Sequence, residues 1–100
     1  MEIGHYQTIA WKSYMGRDLP LKDQVVNHCL GITGEVGEIV DQVKKEFYIG
    51  RDITREELVE EFGDVLWHLC CMASSRGISM GEIMEYNINK LKVRYPNADW

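Results

Sequence analysis

Two pairs of carboxylates set the terms on which this chain can fold. Glu35 and Glu38 sit in Gly34-Glu35-Val36-Gly37-Glu38-Ile39-Val40-Asp41-Gln42-Val43-Lys44-Lys45; Glu61 and Asp64 sit in Glu60-Glu61-Phe62-Gly63-Asp64-Val65-Leu66. Both stretches have a helical rhythm, and residues three apart in a helix are neighbours on one face. Two such helices side by side would gather four negative charges. That is tolerable only if some of the acids take up protons or a cation sits among them. Hard oxygen ligands of this kind suit Mg²⁺, or Mn²⁺ in its place.

The punctuation of the chain predicts where the helices lie. Apolar residues at Ile3, Tyr6, Ile9, Ala10 and Tyr14 predict a first helix from Glu2 to about Tyr14, closed by Gly16 and Pro20. Asp23 is a candidate cap for a second helix running to about Tyr48, with Gly50 as its C-cap. Thr54-Arg55-Glu56-Glu57 and Ser79-Met80-Gly81-Glu82 both fit a capping box. They predict a third helix over about Arg55 to Arg76, stopped by Gly77, and a fourth over about Met80 to Arg94, before Pro96. No stretch alternates as a strand does. The expectation is a single all-α domain over residues 1–100, a four-helix bundle-like fold with short loops.

Composition excludes several classes. The net charge is −5, with no dense run of Lys or Arg, which argues against a nucleic-acid partner. No apolar stretch approaches the roughly 18 residues of a membrane span, and Met1-Glu2-Ile3-Gly4-His5 does not read as a signal peptide. Three cysteines without a spaced framework predict reduced thiols in a cytoplasmic setting, packed as small hydrophobes. A chain of this length buries about 60–70% of its unfolded surface, so its core is thin and an oligomer would help it.

A helical wheel places the polar groups. On the second helix Val25, Cys29, Ile32, Val36, Ile39, Val40, Val43 and Phe47 fall on one side, and Glu35, Glu38, Gln42 and Lys45 form a stripe on the far side. Such a stripe is ordinarily a solvated face. Gly31, Gly34 and Gly37 count against that, because each costs up to about 1 kcal/mol relative to Ala inside a helix. Close approach by a ligand or a second helix would explain them. On the third helix Glu57, Glu61, Asp64 and His68 share a stripe beside Leu58, Phe62, Val65, Leu66 and Leu69; on the fourth, Asn87, Lys90 and Arg94 border Met84, Ile88, Leu91 and Tyr95. Acids on one wall and Asn, Lys and Arg on another suit an anion carried with a metal. Trp11, Trp67 and Tyr6 could stack on a base, but aromatics at helical spacing read as core; His28 and His68 are open between core and site wall.

Glu35-Val36-Gly37-Glu38 with Glu61-Phe62-Gly63-Asp64 resembles the Glu-x-x-Glu … Glu-x-x-Asp signature of MazG-like nucleotide pyrophosphohydrolases, members of the all-α NTP pyrophosphatase superfamily. Asn87-Ile88-Asn89-Lys90-Leu91 and the closing Arg94-Tyr95-Pro96 are similar to that family's last helix. The resemblance runs from Tyr6 to Pro96. It implies hydrolysis of a nucleoside triphosphate, dNTP or NTP, between the α and β phosphates, giving a monophosphate and pyrophosphate. It implies Mg²⁺ held by Glu35, Glu38, Glu61 and Asp64; one of the four could activate water instead, and Glu38, which lies mid-stripe, and Glu61 are the candidates. Asn87, Lys90, Arg94 and Lys45 would hold the substrate. It implies a homo-oligomer, dimer or tetramer, in which a neighbouring subunit completes the cleft that the second helix turns away from its apolar face. The competing expectations are a non-catalytic metal- or nucleotide-binding regulatory module and a plain bundle with solvated acidic stripes.

Overall fold

The computed structural model describes all 100 residues, Met1–Trp100, as four α-helices and no strand. They are α1 (Ile3–Ser13), α2 (Leu21–Tyr48), α3 (Arg55–Ser75) and α4 (Met80–Arg94). The capping residues explain the boundaries. Thr54 Oγ1 accepts from the Glu57 N–H and Ser79 Oγ from the Glu82 N–H, each at 3.1 Å. These bonds satisfy donors that the first turn of a helix leaves free. At the end of α3 the Gly77 N–H donates to Ser74 O and the Ile78 N–H to Ala73 O, with Gly77 at φ 68°. That is a Schellman stop, and it needs a residue without Cβ. Gly50, at φ 77°, closes α2 in the same region of backbone space. One expected cap is corrected. Asp23 does not start α2; Pro20 holds the N-cap without a side-chain bond, and Asp23 lies in the first turn. There its charge complements the positive end of the helix.

α2 and α3 form a long antiparallel hairpin, and α1 packs on α3 and on α4. The buried core lies where α1, α3 and α4 meet: Ala10, Tyr14, Cys70, Cys71, Ala73 and Met80. Gln7 is the buried clasp of that junction. Its Nε2 donates to Ser74 Oγ (3.0 Å) and Ile78 O (2.9 Å), and its Oε1 accepts from the Met80 N–H (2.8 Å). One side chain thus ties α1 to the end of α3 and the start of α4, with all its polar atoms satisfied, as burial demands. Cys70 and Cys71 are packed thiols, as expected. Cys29 is not; it is exposed, with its sulfur 3.8 Å from Met72 Sδ.

The four helices do not close around a common centre. The Cα radius of gyration is 16.2 Å, where a compact chain of this length would have about 13 Å. The α2 face read as core is the reason. Val36, Val40 and Phe47 are 42%, 55% and 75% exposed. α2 turns a different line toward α3, one that runs through Gln24, His28, Gly31, Glu35 and Gln42, and it is polar. At 100° per residue that line lies roughly a quarter-turn from the apolar stripe. The stripe lies along the open side of the hairpin.

Gly31 permits the close approach. A Cβ there would run into the imidazole of His68, which is itself held against His28 and Trp67. Of the three glycines, Gly31 alone meets the neighbouring helix; nothing of the protein lies within 4 Å of a Cβ at Gly34 or Gly37. Gly31→Ala is therefore expected to destabilise the fold by about 1–3 kcal/mol through overpacking. Gly34→Ala should gain up to about 1 kcal/mol from helix propensity. Urea titrations of the two variants would separate them, and equal effects would contradict the α2–α3 packing described.

Candidate metal centre

The α2–α3 contact line repeats every seven residues. His28, Glu35 and Gln42 follow one another on α2, and Glu61 and His68 on α3. Seven residues are close to two full helical turns, so each set projects in one direction. At one end of the line His28 Nδ1 and His68 Nδ1 are 3.1 Å apart, beneath Tyr14 and Trp67. His28 is buried, and that burial, with the neighbouring His68, holds its pKa below the ordinary value. The histidine pair and the gap left by Gly31 fix the spacing of the helices. Two turns further along, the same spacing puts Glu35 opposite Glu61.

Glu35, Glu38 and Glu61 converge there. Each offers a carboxylate oxygen, and the three oxygens lie within 4.8 Å of one another. Glu35 and Glu61 are half-buried and Glu38 is exposed. Glu35 Oε2 and Glu61 Oε2 are shut off from solvent without a hydrogen-bond partner. The same holds for Gln42 Oε1 and Glu57 Oε2 on the same two helices. Acceptor oxygens shut off from water and left unpaired are costly for the protein alone. Desolvation, then shared hydrogen bonds with Glu38 and Glu35 and repulsion from their charges, push the Glu61 carboxyl up to about 7. The cluster therefore holds a proton more readily than an ordinary carboxylate does. A divalent ion with hard-oxygen preference fits this donor set and would release it.

The other candidate residues are not gathered in one place. Asp64 is exposed and stands outside the three-oxygen cluster; its charge is felt by the Tyr6 hydroxyl, whose pKa is raised first by burial. Lys45 shares the far stripe of α2 but is committed to Asp41 at 2.8 Å. Asn87, Lys90 and Arg94 are exposed on α4, whose packing partner is α1. Trp67 is structural, its Nε1 donating to Ser13 Oγ at 2.8 Å. Sequence reasoning passed over Gln42 and Glu57 as participants in the site. Both were placed on the acid stripes, Gln42 seven residues after Glu35 and Glu57 one turn before Glu61, but neither was named as a metal ligand.

An all-helical chain with facing carboxylates on two adjacent helices defines a class of proteins that can hold a divalent cation between helices. Residues 26–98 match the family described as the MazG nucleotide pyrophosphohydrolase domain. The chain belongs to that family. It is 38% identical over 72 residues to the Gene 37 protein of Mycobacterium phage L5, covering 65% of this chain and 60% of that one. It is 31% identical over 74 residues to Uncharacterized protein YvdC of Bacillus subtilis (strain 168), covering 64% and 69%. The chain thus spans about three-fifths of the length of the phage relative. No solved structure matches it at a significant level. No helix is long and apolar enough to cross a membrane.

The raised Glu61 pKa has a sign that can be tested. A carboxyl raised from 4.5 to about 7 contributes stability that is present at low pH and lost as pH rises through that range. Added Mg²⁺ or Mn²⁺ should therefore raise the melting temperature more at pH 8 than at pH 5.5. Glu61→Gln should stabilise the metal-free protein at pH 8 and blunt its response to metal. A melting temperature that ignores both metal and this substitution at pH 8 would count against the centre.

Proposed function

We propose that this protein hydrolyses a nucleoside triphosphate, dNTP or NTP, between the α and β phosphates. A water oxygen bonds to the α phosphorus, the bond to the bridging oxygen breaks, and pyrophosphate leaves. The observation that carries the reading is the meeting of Glu35, Glu38 and Glu61 at the α2–α3 contact of a chain in the MazG family. Glu35, Glu38 and Glu61 would hold Mg²⁺, with Asp64 brought in as a fourth ligand by a rotamer change. The ion would screen the charge of the triphosphate, which a bare acidic wall repels. Glu38 is the most exposed of the three clustered acids and so the most open to water, which suits it to take the proton; Glu61, whose pKa lies near neutrality, is the other candidate.

The phosphates also need cationic side chains. Lys90 and Arg94 have the chemistry, Arg through two parallel donors and Lys as a point charge, with Asn87 for sugar or base. α4 lies on α1 rather than beside the carboxylates of its own chain. We infer that these residues serve the site of a neighbouring copy in a homo-oligomer, and that Lys45 joins them once it leaves Asp41. The setting is taken to be the cytoplasm, where Mg²⁺ and nucleotides are available.

The test is a panel of nucleoside triphosphates with Mg²⁺, scored for pyrophosphate against single phosphate. Pyrophosphate release from at least one member is expected, and Glu38→Gln or Glu61→Gln should lower it at least about 100-fold with the helical signal intact. Metal binding without turnover on any nucleotide would leave a regulatory module as the better reading. Co-expressing Glu61→Gln with Arg94→Ala chains tests the shared site. If acids and cations come from different chains, random pairing restores about a quarter of wild-type activity. If one chain supplies both, nothing is restored.

A further inference from the structure

Geometry fixes how many protons the two imidazoles of the α2–α3 contact can hold. His28 is 1% exposed. Its ring lies against Tyr14 of α1, at a centroid distance of 4.4 Å, and against Trp67 and His68 of α3, at 5.7 and 5.4 Å. Its Nδ1 is 3.1 Å from His68 Nδ1, and its Nε2 is shut off from solvent with no partner. A hydrogen bond between two Nδ1 atoms needs one proton and one bare lone pair. In the neutral pair His28 donates through Nδ1–H and keeps Nε2 bare, so no N–H is buried without an acceptor.

An added proton has no good place. On His28 it gives the ring an N–H at Nε2, where no acceptor is in reach, together with a desolvated charge. On His68 it makes that ring the Nδ1 donor, and His28 must move its own hydrogen to Nε2 in order to accept. Both arrangements put a hydrogen on the same orphaned atom. A second added proton removes the last bare Nδ1 and sets two N–H groups facing each other. Burial, and then the neighbouring His68, accordingly lower the pKa of His28. No countercharge is paired with either ring. The titratable groups around them are the Tyr14 phenol from α1, Asp64 and Glu61 one and two turns before His68 on α3, and Glu35 two turns beyond His28 on α2; the chain's one ion pair, Asp41–Lys45, lies further along α2. α4 packs on α1. Nor can the rings slide apart in place, because His68 fills the gap over Gly31.

We propose that the His28–His68 pair is a proton-sensitive clamp: while neutral it keeps α2 against α3, and acid opens it and parts Glu35 from Glu61. The two histidines are positioning residues, acting on the carboxylates through the spacing of the helices. The clamp stands on packing and hydrogen-bond geometry. Only its consequence for a metal-loaded enzyme rests on the proposed function. Its sign is opposite to that of Glu61. An imidazole held below its ordinary value of 6.5 contributes stability that is present above 6.5 and lost as pH falls through that value toward the folded pKa.

The experiment uses the whole protein without metal or nucleotide, so that its outcome is separate from that of the activity panel. Urea titrations from pH 8 to pH 5 compare wild type with His28→Asn, whose amide can still donate to His68 Nδ1 but cannot titrate. Glu61 is present in both, and its own titration cancels. Below pH 6.5 the folded-to-unfolded ratio of the wild type should fall relative to that of the variant by up to about tenfold per pH unit. A histidine that only packs would shift the ratio by one factor at every pH, and that result overturns the proposal. Hydrogen exchange locates the opening. As the wild type goes from pH 8 to pH 5.5, protection factors should drop first over residues 28–38 and 57–68; a drop that begins on α1 or α4 overturns it. Magnetic resonance of the unmodified protein gives a further reading, should the variant fail to fold. With the exposed His5 as a reference in the same spectra, His28 should take up its proton after His5 and only as the α2–α3 contacts are lost. Protonation of His28 in step with His5, in a fold that stays closed, overturns the clamp.

Discussion

The structure depends on how near α3 can come to α2. Helices pack 8–10 Å apart according to the side chains between them. Here the contact is set by a glycine on one helix and an imidazole on the other, Gly31 under His68. The His28–His68 contact at 3.1 Å fixes the helices laterally. With that end pinned, Glu35 and Glu61 two turns away have no choice but to face each other. The fold gives up stability there: partly desolvated carboxylates lie close together, and Glu61 is raised toward neutral pH. Clustered acids with a perturbed pKa mark a candidate functional site.

Local chemistry made most of the fold legible. The caps Thr54 and Ser79, the stop at Gly77 and the limits of α3 and α4 all follow from residues that interact within one turn. The start of α2 was less clear, because an aspartate in a first turn and an aspartate at the cap look alike in sequence. Periodicity also divided α2 correctly into an apolar and a polar side. What it could not say was which side faces α3. A wheel reports that apolar residues seek cover, but not what covers them, and here the polar line meets the neighbouring helix while the apolar line does not.

The candidate site divides in the same way. Glu35, Glu38 and Glu61 meet because their spacing on two antiparallel helices is a local property projected onto one packing contact. The place of Asp64 turns on about 60° around α3, a difference that a three-residue spacing blurs. Lys90, Arg94 and Asn87 lie on a helix whose position is set by Gln7 and the core around Met80, far from the acids in the chain. No pattern within α4 encodes that.

The central claim is that the carboxylates of α2 and α3 are placed to share a divalent ion. The most direct measurement is anomalous diffraction from crystals grown in Mn²⁺. A peak within coordination distance of Glu35, Glu38 and Glu61 is what the account predicts. Well-ordered carboxylates turned apart into solvent, with no peak between them, would contradict it.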